Sequence, residues 1–132
     1  MEITVLQKQG RVPVTVFQIK GDIDANFYEQ LLAQAKEAHA AGMRDLILDL
    51  SEVKYMSSAG LRVLHSIFAL LRTDAANESD EAMKKGLSDG TFKSPHLKLV
   101  NPSPVVREVL RTSGFDMFLE VHRNLKEAMA SF

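Results

Sequence analysis

The sequence contains no cysteine and no tryptophan, and neither sign of charge predominates. The absence of cysteine excludes a disulfide framework, a cysteine-ligated zinc site and a thiol nucleophile. The 16 basic residues nearly balance the 17 acidic ones, which gives a net charge of -1. Because proteins that bind nucleic acids need a cationic face, this balance predicts no nucleic-acid partner.

Long apolar runs are also absent. No segment approaches the roughly 18 consecutive apolar residues of a membrane-spanning helix, so we predict no membrane insertion. The first residues, Met1–Val5, lack the basic and then apolar pattern of a secretion signal, and we therefore expect a cytoplasmic protein. The length of 132 residues and the hydrophobic fraction of 45% predict a single domain, spanning 1–132, with one main core.

Hydrophobic periodicity predicts alternating strands and helices along most of the chain. Two β-rich runs flank a turn that contains Gly10, and they predict an N-terminal hairpin. The later strands are short and almost wholly apolar, which is typical of parallel strands covered by helices. This order predicts an α/β domain with a mixed sheet packed against helices. The predicted strands are 3–6, 12–19, 46–50, 96–100 and an edge strand within 115–121, and the predicted helices follow Asp24, Ser57 and Ser103 and cover 123–130.

Three short motifs lie where predicted strands end and predicted helices begin. The longest, at Asp49–Leu61, has the sequence DLSEVKYMSSAGL, and GDID at 21–24 ends the second strand. The third helix carries SPVV at 103–106 and later SGF at 113–115. In this order and spacing the motifs resemble those of the STAS domain family, the anti-sigma factor antagonists. The resemblance covers nearly the whole chain outside residues 74–95.

The resemblance implies an anti-sigma factor antagonist that has no catalytic residues and no cofactor of its own. The residue that is phosphorylated in the family falls on Ser58, and the preceding position, often Asp in the family, is Ser57, the alternative acceptor. The unmodified chain would bind an anti-sigma factor serine kinase, phosphorylation would release it, and a phosphatase would restore binding. The kinase would supply ATP, because this chain has no glycine-rich phosphate loop. The predicted partner-binding residues are Asp22, Asp24, Ser57, Ser58, Ala59, Gly60, Leu61 and Arg62.

The residues alone leave two interpretations open at the start of the second helix. Ser57 and Ser58 are ordinary helix-capping residues, and one of them can cap while the other is modified. A phosphoserine adds about -1.5 to -2 charges, which the positive end of a helix accepts, so phosphorylation would act on an interface rather than on the fold. Gly60 would either admit a partner's backbone or allow tight packing of the helix on the sheet.

Other classes of function are less well supported. A STAS adaptor subunit of a transport or sensory complex would use the same surface without phosphorylation. A cation site formed by Asp22, Asp24 and Asp49 is conceivable at the carboxyl ends of the strands, but Asp24 is better explained as a helix cap. A hydrolase would need a nucleophile elbow, which is absent. We therefore predict no metal site and no enzyme, and we assign structural or surface roles to His39, His65, His96 and His122.

Residues 74–95 are polar, charged and too long for an ordinary connection, and they predict an insertion that is part helical or mobile. If the second helix spans residues 58–73, its ends are about 24 Å apart, so the insertion lies far from Ser58. Deleting residues 76–92 is therefore expected to leave binding to a partner at Ser58 unchanged in a titration. A deletion variant that folds but no longer binds would contradict this.

Overall fold

A computed structural model describes residues 2–72, 94–117 and 119–132. Five strands form one sheet in the order β1-β2-β3-β4-β5, in which β1 and β2 are antiparallel and the other neighbours are parallel. The predicted mixed sheet with an N-terminal hairpin is thereby confirmed. The strands are β1 (Glu2–Gln9), β2 (Pro13–Lys20), β3 (Leu46–Glu52), β4 (Leu97–Val100) and β5 (Glu120–His122), and the helices are α1 (Ala25–Ala40), α2 (Ser58–Arg72), α3 (Pro104–Ser113) and α4 (Leu125–Ala130).

The two faces of the sheet are covered unequally. The larger core joins one face to α1, α2 and α3, and it includes Phe17 from β2 and Phe27 from α1. A smaller core on the other face joins Val14 and Val16 of β2 to Ala128 of α4. Because β2 is apolar on both faces, its side chains enter both cores. The larger core therefore fixes α1 and α2 against the sheet.

A buried cation fastens the C-terminus to the smaller core. Lys98 in β4 is only 1% exposed, and its Nζ lies 2.8 Å from a carboxylate oxygen of Glu120. The same ammonium donates to the carbonyl and hydroxyl oxygens of Ser131 and lies 4.5 Å from the ring centroid of Phe132. A buried charge is tolerated only with such partners, so Lys98 ties the end of α4 to the sheet.

The predicted helix ends are confirmed where a capping residue marks them. The carboxylate of Asp24 accepts hydrogen bonds from the amides of Asn26 and Phe27 at 3.0 and 3.2 Å. Ser103 caps α3, which begins at Pro104 and ends at Gly114 in the left-handed conformation.

Within the described ranges, no helix is both long and apolar enough to cross a membrane.

The last part of the chain differs in detail from the prediction. The predicted short edge strand is confirmed as β5, but it covers Glu120–His122 at the end of the predicted segment, because a short 3-10 turn occupies Phe115–Met117. The Met117 amide bonds back to the Gly114 carbonyl, which keeps this segment coiled until the chain reaches the sheet. The final helix starts later than predicted, because Asn124 caps it. Of the predicted insertion at 74–95, residues 74–93 lie outside the described residues.

Candidate functional site

The candidate site lies where β2 and β3 end and α1 and α2 begin. The two connecting loops are joined by a parallel bridge between Ile23 and Met56. The amide of Ile23 donates to the carbonyl of Tyr55, and the amide of Ser57 donates to the carbonyl of Ile23, both at 3.0 Å. These bonds continue the pairing of the two strands beyond the sheet. They bring the first turns of both helices side by side at its carboxyl edge.

The two serines at the start of α2 have different environments. The Oγ of Ser57 accepts a hydrogen bond from the Gly60 amide at 3.3 Å and donates to the Ile23 carbonyl at 3.5 Å. Ser57 is therefore the N-cap of α2. Ser58 is the first helical residue, it is exposed, and its hydroxyl has no hydrogen bond within the described residues. Ser57 therefore caps the helix, while Ser58 presents the accessible hydroxyl.

This division predicts opposite sensitivities of the two serines to alanine. Ser57→Ala removes the cap and is expected to lower the free energy of unfolding by about 1 kcal/mol. Ser58→Ala removes an exposed hydroxyl and should change that free energy by less than about 0.5 kcal/mol. Urea denaturation of the two variants measures both values, and each variant serves as the control for the other. Equal losses in both would contradict the assignment of the cap to Ser57.

Gly60 lies at the closest contact between α2 and the loop before α1. A Cβ added at Gly60 would come within 2.5 Å of the Ile23 carbonyl oxygen and 2.6 Å of Met56 Cγ. No side chain fits at these distances without movement of the backbone, so this geometry gives Gly60 a packing role. Ala59 is also buried, at 5% exposure. Both residues are buried and support the start of α2 through packing.

The exposed surface of the site surrounds Ser58. Asp22 and Arg62 are exposed, and Leu61 is half-buried. An open groove of about 550 Å³ lies between the first turns of α1 and α2, and a second of about 400 Å³ continues along α2. Arg62 lines both grooves and has no ion-pair partner in the described parts of the chain. The first groove is lined by Ala25, Asn26, Tyr28, Glu29, Ala59 and Arg62.

Tyr55 is an exposed residue of the site that was not among the predicted partner-binding residues. Its side chain is 49% exposed in the loop between β3 and α2, three residues before Ser58. Exposed tyrosines are enriched in protein interfaces, because they bury much area with little loss of side-chain entropy. The signal in the sequence is an aromatic residue beside Lys54 in a loop, which alone does not distinguish a contact residue from a packed one.

The three aspartates that could have been ligands of a cation have different surroundings in the structure. Asp24 caps α1, while the carboxylate of Asp49 accepts the Ser51 amide at 3.0 Å within β3. Asp22 is exposed to solvent. Across residues 2–72, 94–117 and 119–132, no three His, Cys, Asp or Glu side chains are grouped to hold a metal ion.

Three of the four histidines have contacts of their own elsewhere in the fold. Nδ1 of His96 is 3.0 Å from Asp45, and Nε2 of His122 is 3.2 Å from Glu120. His65 lies further along α2 and stacks at an angle near Phe68. None of the four is hydrogen-bonded to Ser58 in the described structure.

Comparison with known proteins gives one consistent relationship. The model of the STAS domain matches residues 5–77. BtrV of Bordetella bronchiseptica, provisionally named an anti-sigma factor antagonist, is 30% identical over 114 residues, which are 86% of this chain and 82% of BtrV.

Solved structures agree in fold at lower identity. An anti-sigma factor antagonist from Mycobacterium paratuberculosis is 21% identical with a TM-score of 0.68, covering 98% of this chain and 93% of that one. The phosphorylated form of SpoIIAA from Bacillus is 18% identical with a TM-score of 0.64, covering 98% and 97%. From the matched family model and the identity to BtrV together, this chain belongs to the STAS domain family.

Proposed function

We propose that this protein is an anti-sigma factor antagonist which, when unphosphorylated, binds an anti-sigma factor with serine kinase activity. Phosphorylation of Ser58 releases the kinase, and a phosphatase restores binding. The observation that carries the proposal is the exposed hydroxyl of Ser58, which has no hydrogen bond to the described residues and lies beside a serine that already serves as the cap. The relationship to BtrV and the existence of a phosphorylated form of SpoIIAA support it.

The proposed partner surface consists of the exposed residues of this site. Asp22, Tyr55, Ser58 and Arg62 are exposed and offer direct contacts, with Leu61 partly available between them. The other predicted partner-binding residues support this surface from below: Asp24 and Ser57 cap α1 and α2, and Ala59 and Gly60 are buried.

A phosphate on Ser58 would act on this surface rather than on the fold. It would lie at the positive end of α2, and Arg62 stands one helical turn further along, a spacing at which opposite charges pair. The partner, which accepted a neutral hydroxyl, would then have to accept a bulky dianion. Changing occupancy from 99% to 1% requires about 5.5 kcal/mol of differential affinity. The free-energy cost of desolvating a poorly paired dianion in an interface is large enough to supply this difference in affinity.

Phosphorylation is therefore expected to stabilise the isolated domain slightly. The unfolding free energy of the phosphorylated chain should exceed that of the unmodified chain by about 0.5–1 kcal/mol. Arg62→Gln should remove part of this gain while leaving the unmodified chain unchanged within about 0.5 kcal/mol. Denaturant titrations of the four samples give the comparison. A loss of stability on phosphorylation would show that the switch acts by unfolding α2 instead.

The protein itself has no catalytic role in this proposal. The partner supplies both ATP and the catalytic base, and the Ser58 oxygen accepts the phosphoryl group. We place the exchange in the cytoplasm, where sigma factors act. Its outcome would be regulation of transcription through release or capture of a sigma factor.

Capture from a lysate of the source cells tests the proposal with wild type, Ser58→Ala and Ser58→Glu as baits. We expect a kinase-type anti-sigma factor on wild type and on the alanine variant, but not on the glutamate variant. Gln9→Glu is the matched control, because it adds one charge at the opposite end of the sheet, where β1 meets the start of β2. Retention of the same partner by every bait would favour a constitutive adaptor and contradict the switch.

A further inference from the structure

The outer edge of β1 carries a row of backbone groups that form no hydrogen bond with any other described residue. The Thr15 amide donates to the Asp45 carbonyl on the β3 side, so the odd-numbered residues of β2 bond towards β3 and the even-numbered ones towards β1. In the register of the hairpin, even-numbered residues of β1 oppose even-numbered residues of β2. The amides and carbonyls of Ile3, Val5 and Gln7 consequently point away from the sheet.

This edge lacks two of the usual protections against pairing, a bulge and a proline. β1 is paired with β2 over all eight residues from Glu2 to Gln9 without a register shift, and it contains no proline. Edge strands are normally shielded by bulges, prolines or charges. The charges present are Glu2 and Lys8, both exposed and neither in an ion pair within the described residues. Val5, midway between them, is 39% exposed.

The sequence of β1 is complementary to itself in one antiparallel register. Ile3 faces the larger core and Leu6 the smaller one, so two copies that keep their helices on the same side must pair odd residues with odd and even with even. When Val5 lies opposite Val5, Glu2 of each copy lies opposite Lys8 of the other. Opposite charges in directly opposed positions stabilise strand pairing.

The neighbouring permitted registers lose this match. Sliding one copy by two residues in one direction places Lys8 opposite Thr4 and Val5 opposite Gln7, and it leaves Glu2 without a partner. Sliding it in the other direction places Glu2 opposite Leu6 and shortens the overlap. The centred register is the one that forms two ion pairs, joins the exposed valines and supplies about six backbone hydrogen bonds.

We infer that β1 is an interaction surface for a second copy of this chain, paired antiparallel about Val5 with Glu2 opposite Lys8. The product is a twofold dimer in which the five-stranded sheets join edge to edge. Such an interface is isologous, since the same strand contributes both halves. It is independent of the proposed function, because no residue of the Ser58 site belongs to β1.

Sedimentation velocity of the purified full chain tests this inference. Wild type is expected to convert from monomer to dimer as its concentration rises to about 1 mM. Glu2→Lys or Lys8→Glu alone should raise the dimer dissociation constant at least about tenfold, because each turns two attractive pairs into repulsive ones. The double variant Glu2→Lys/Lys8→Glu exchanges the charges and should restore the wild-type constant.

Two results would overturn the inference. One is a wild-type chain that stays monomeric up to about 1 mM, a concentration that would populate even a weak edge-to-edge dimer. The other is a dimer that the single reversals leave unchanged or that the double variant fails to restore. Glu29→Lys is the matched control, because it reverses an exposed charge on α1 and should leave the dissociation constant unchanged.

Discussion

Gly60→Ala is expected to lower the free energy of unfolding by about 2–3 kcal/mol, as overpacking of a close contact does. Alanine is the better helix former by as much as about 1 kcal/mol, so propensity alone would predict the opposite sign. The contact outweighs propensity because the nearest atom, 2.5 Å from the new Cβ, is the carbonyl oxygen of Ile23. That oxygen accepts the Ser57 amide at 3.0 Å, so it cannot retreat without loosening the cap of α2.

Urea denaturation of Gly60→Ala beside Gly10→Ala measures this effect. A Cβ at Gly10 would first meet the terminal methyl of Met129 at 2.9 Å, which is the free end of a flexible side chain. We therefore expect the Gly10 variant to lose less than about 1 kcal/mol. A Gly60 variant as stable as wild type would mean that α2 can shift away from the loop before α1. The close packing at Gly60 would then be unnecessary for the stability of the fold.

Ser58→Glu is expected to weaken binding to the anti-sigma factor at least about 100-fold, equivalent to about 2.7 kcal/mol. The glutamate places a full charge where the interface accepted a neutral hydroxyl, and an unpaired charge in an interface costs several kcal/mol. A phosphate, with its larger charge, should weaken binding further. Ser58→Ala should stay within about threefold of wild type, because it adds neither charge nor bulk.

Isothermal titration calorimetry with the captured partner gives these affinities. Gln9→Glu again controls for net charge and should bind as wild type does. If Ser58→Ala weakened binding as strongly as Ser58→Glu, the hydroxyl itself would be an essential contact. The site would then be a constitutive adaptor surface rather than a charge-operated switch.

Much of the architecture was predictable because short-range chemistry determines it. Asp24, Ser103 and Gly114 mark helix ends through their own hydrogen bonds or backbone conformation, and all three do so in the structure. The order of apolar runs was sufficient to predict a mixed sheet. The last strand was harder, since only three residues of β5 pair with β4 and no periodicity shows in so short a segment.

The division of roles between Ser57 and Ser58 was not predictable from the residues. Both are good N-caps, and one residue of slip in the helix start would exchange them. The bridge between Ile23 and Met56 decides the matter, because it positions the Ser57 amide on the Ile23 carbonyl. Likewise, the anchoring of Lys98 by Glu120 and Ser131 depends on chain segments that are more than 20 residues apart.

Mapping the phosphorylated residue distinguishes Ser58 from Ser57 as the acceptor. The purified wild type, Ser57→Ala and Ser58→Ala chains would each be incubated with the captured kinase and MgATP, and phosphopeptides would be sequenced by mass spectrometry. We expect phosphate on Ser58 in wild type and in the less stable Ser57→Ala chain, and none at this site in Ser58→Ala. Phosphate on Ser57, or no transfer to wild type by a kinase that binds it, would contradict the assignment of Ser58 as the phosphorylated residue.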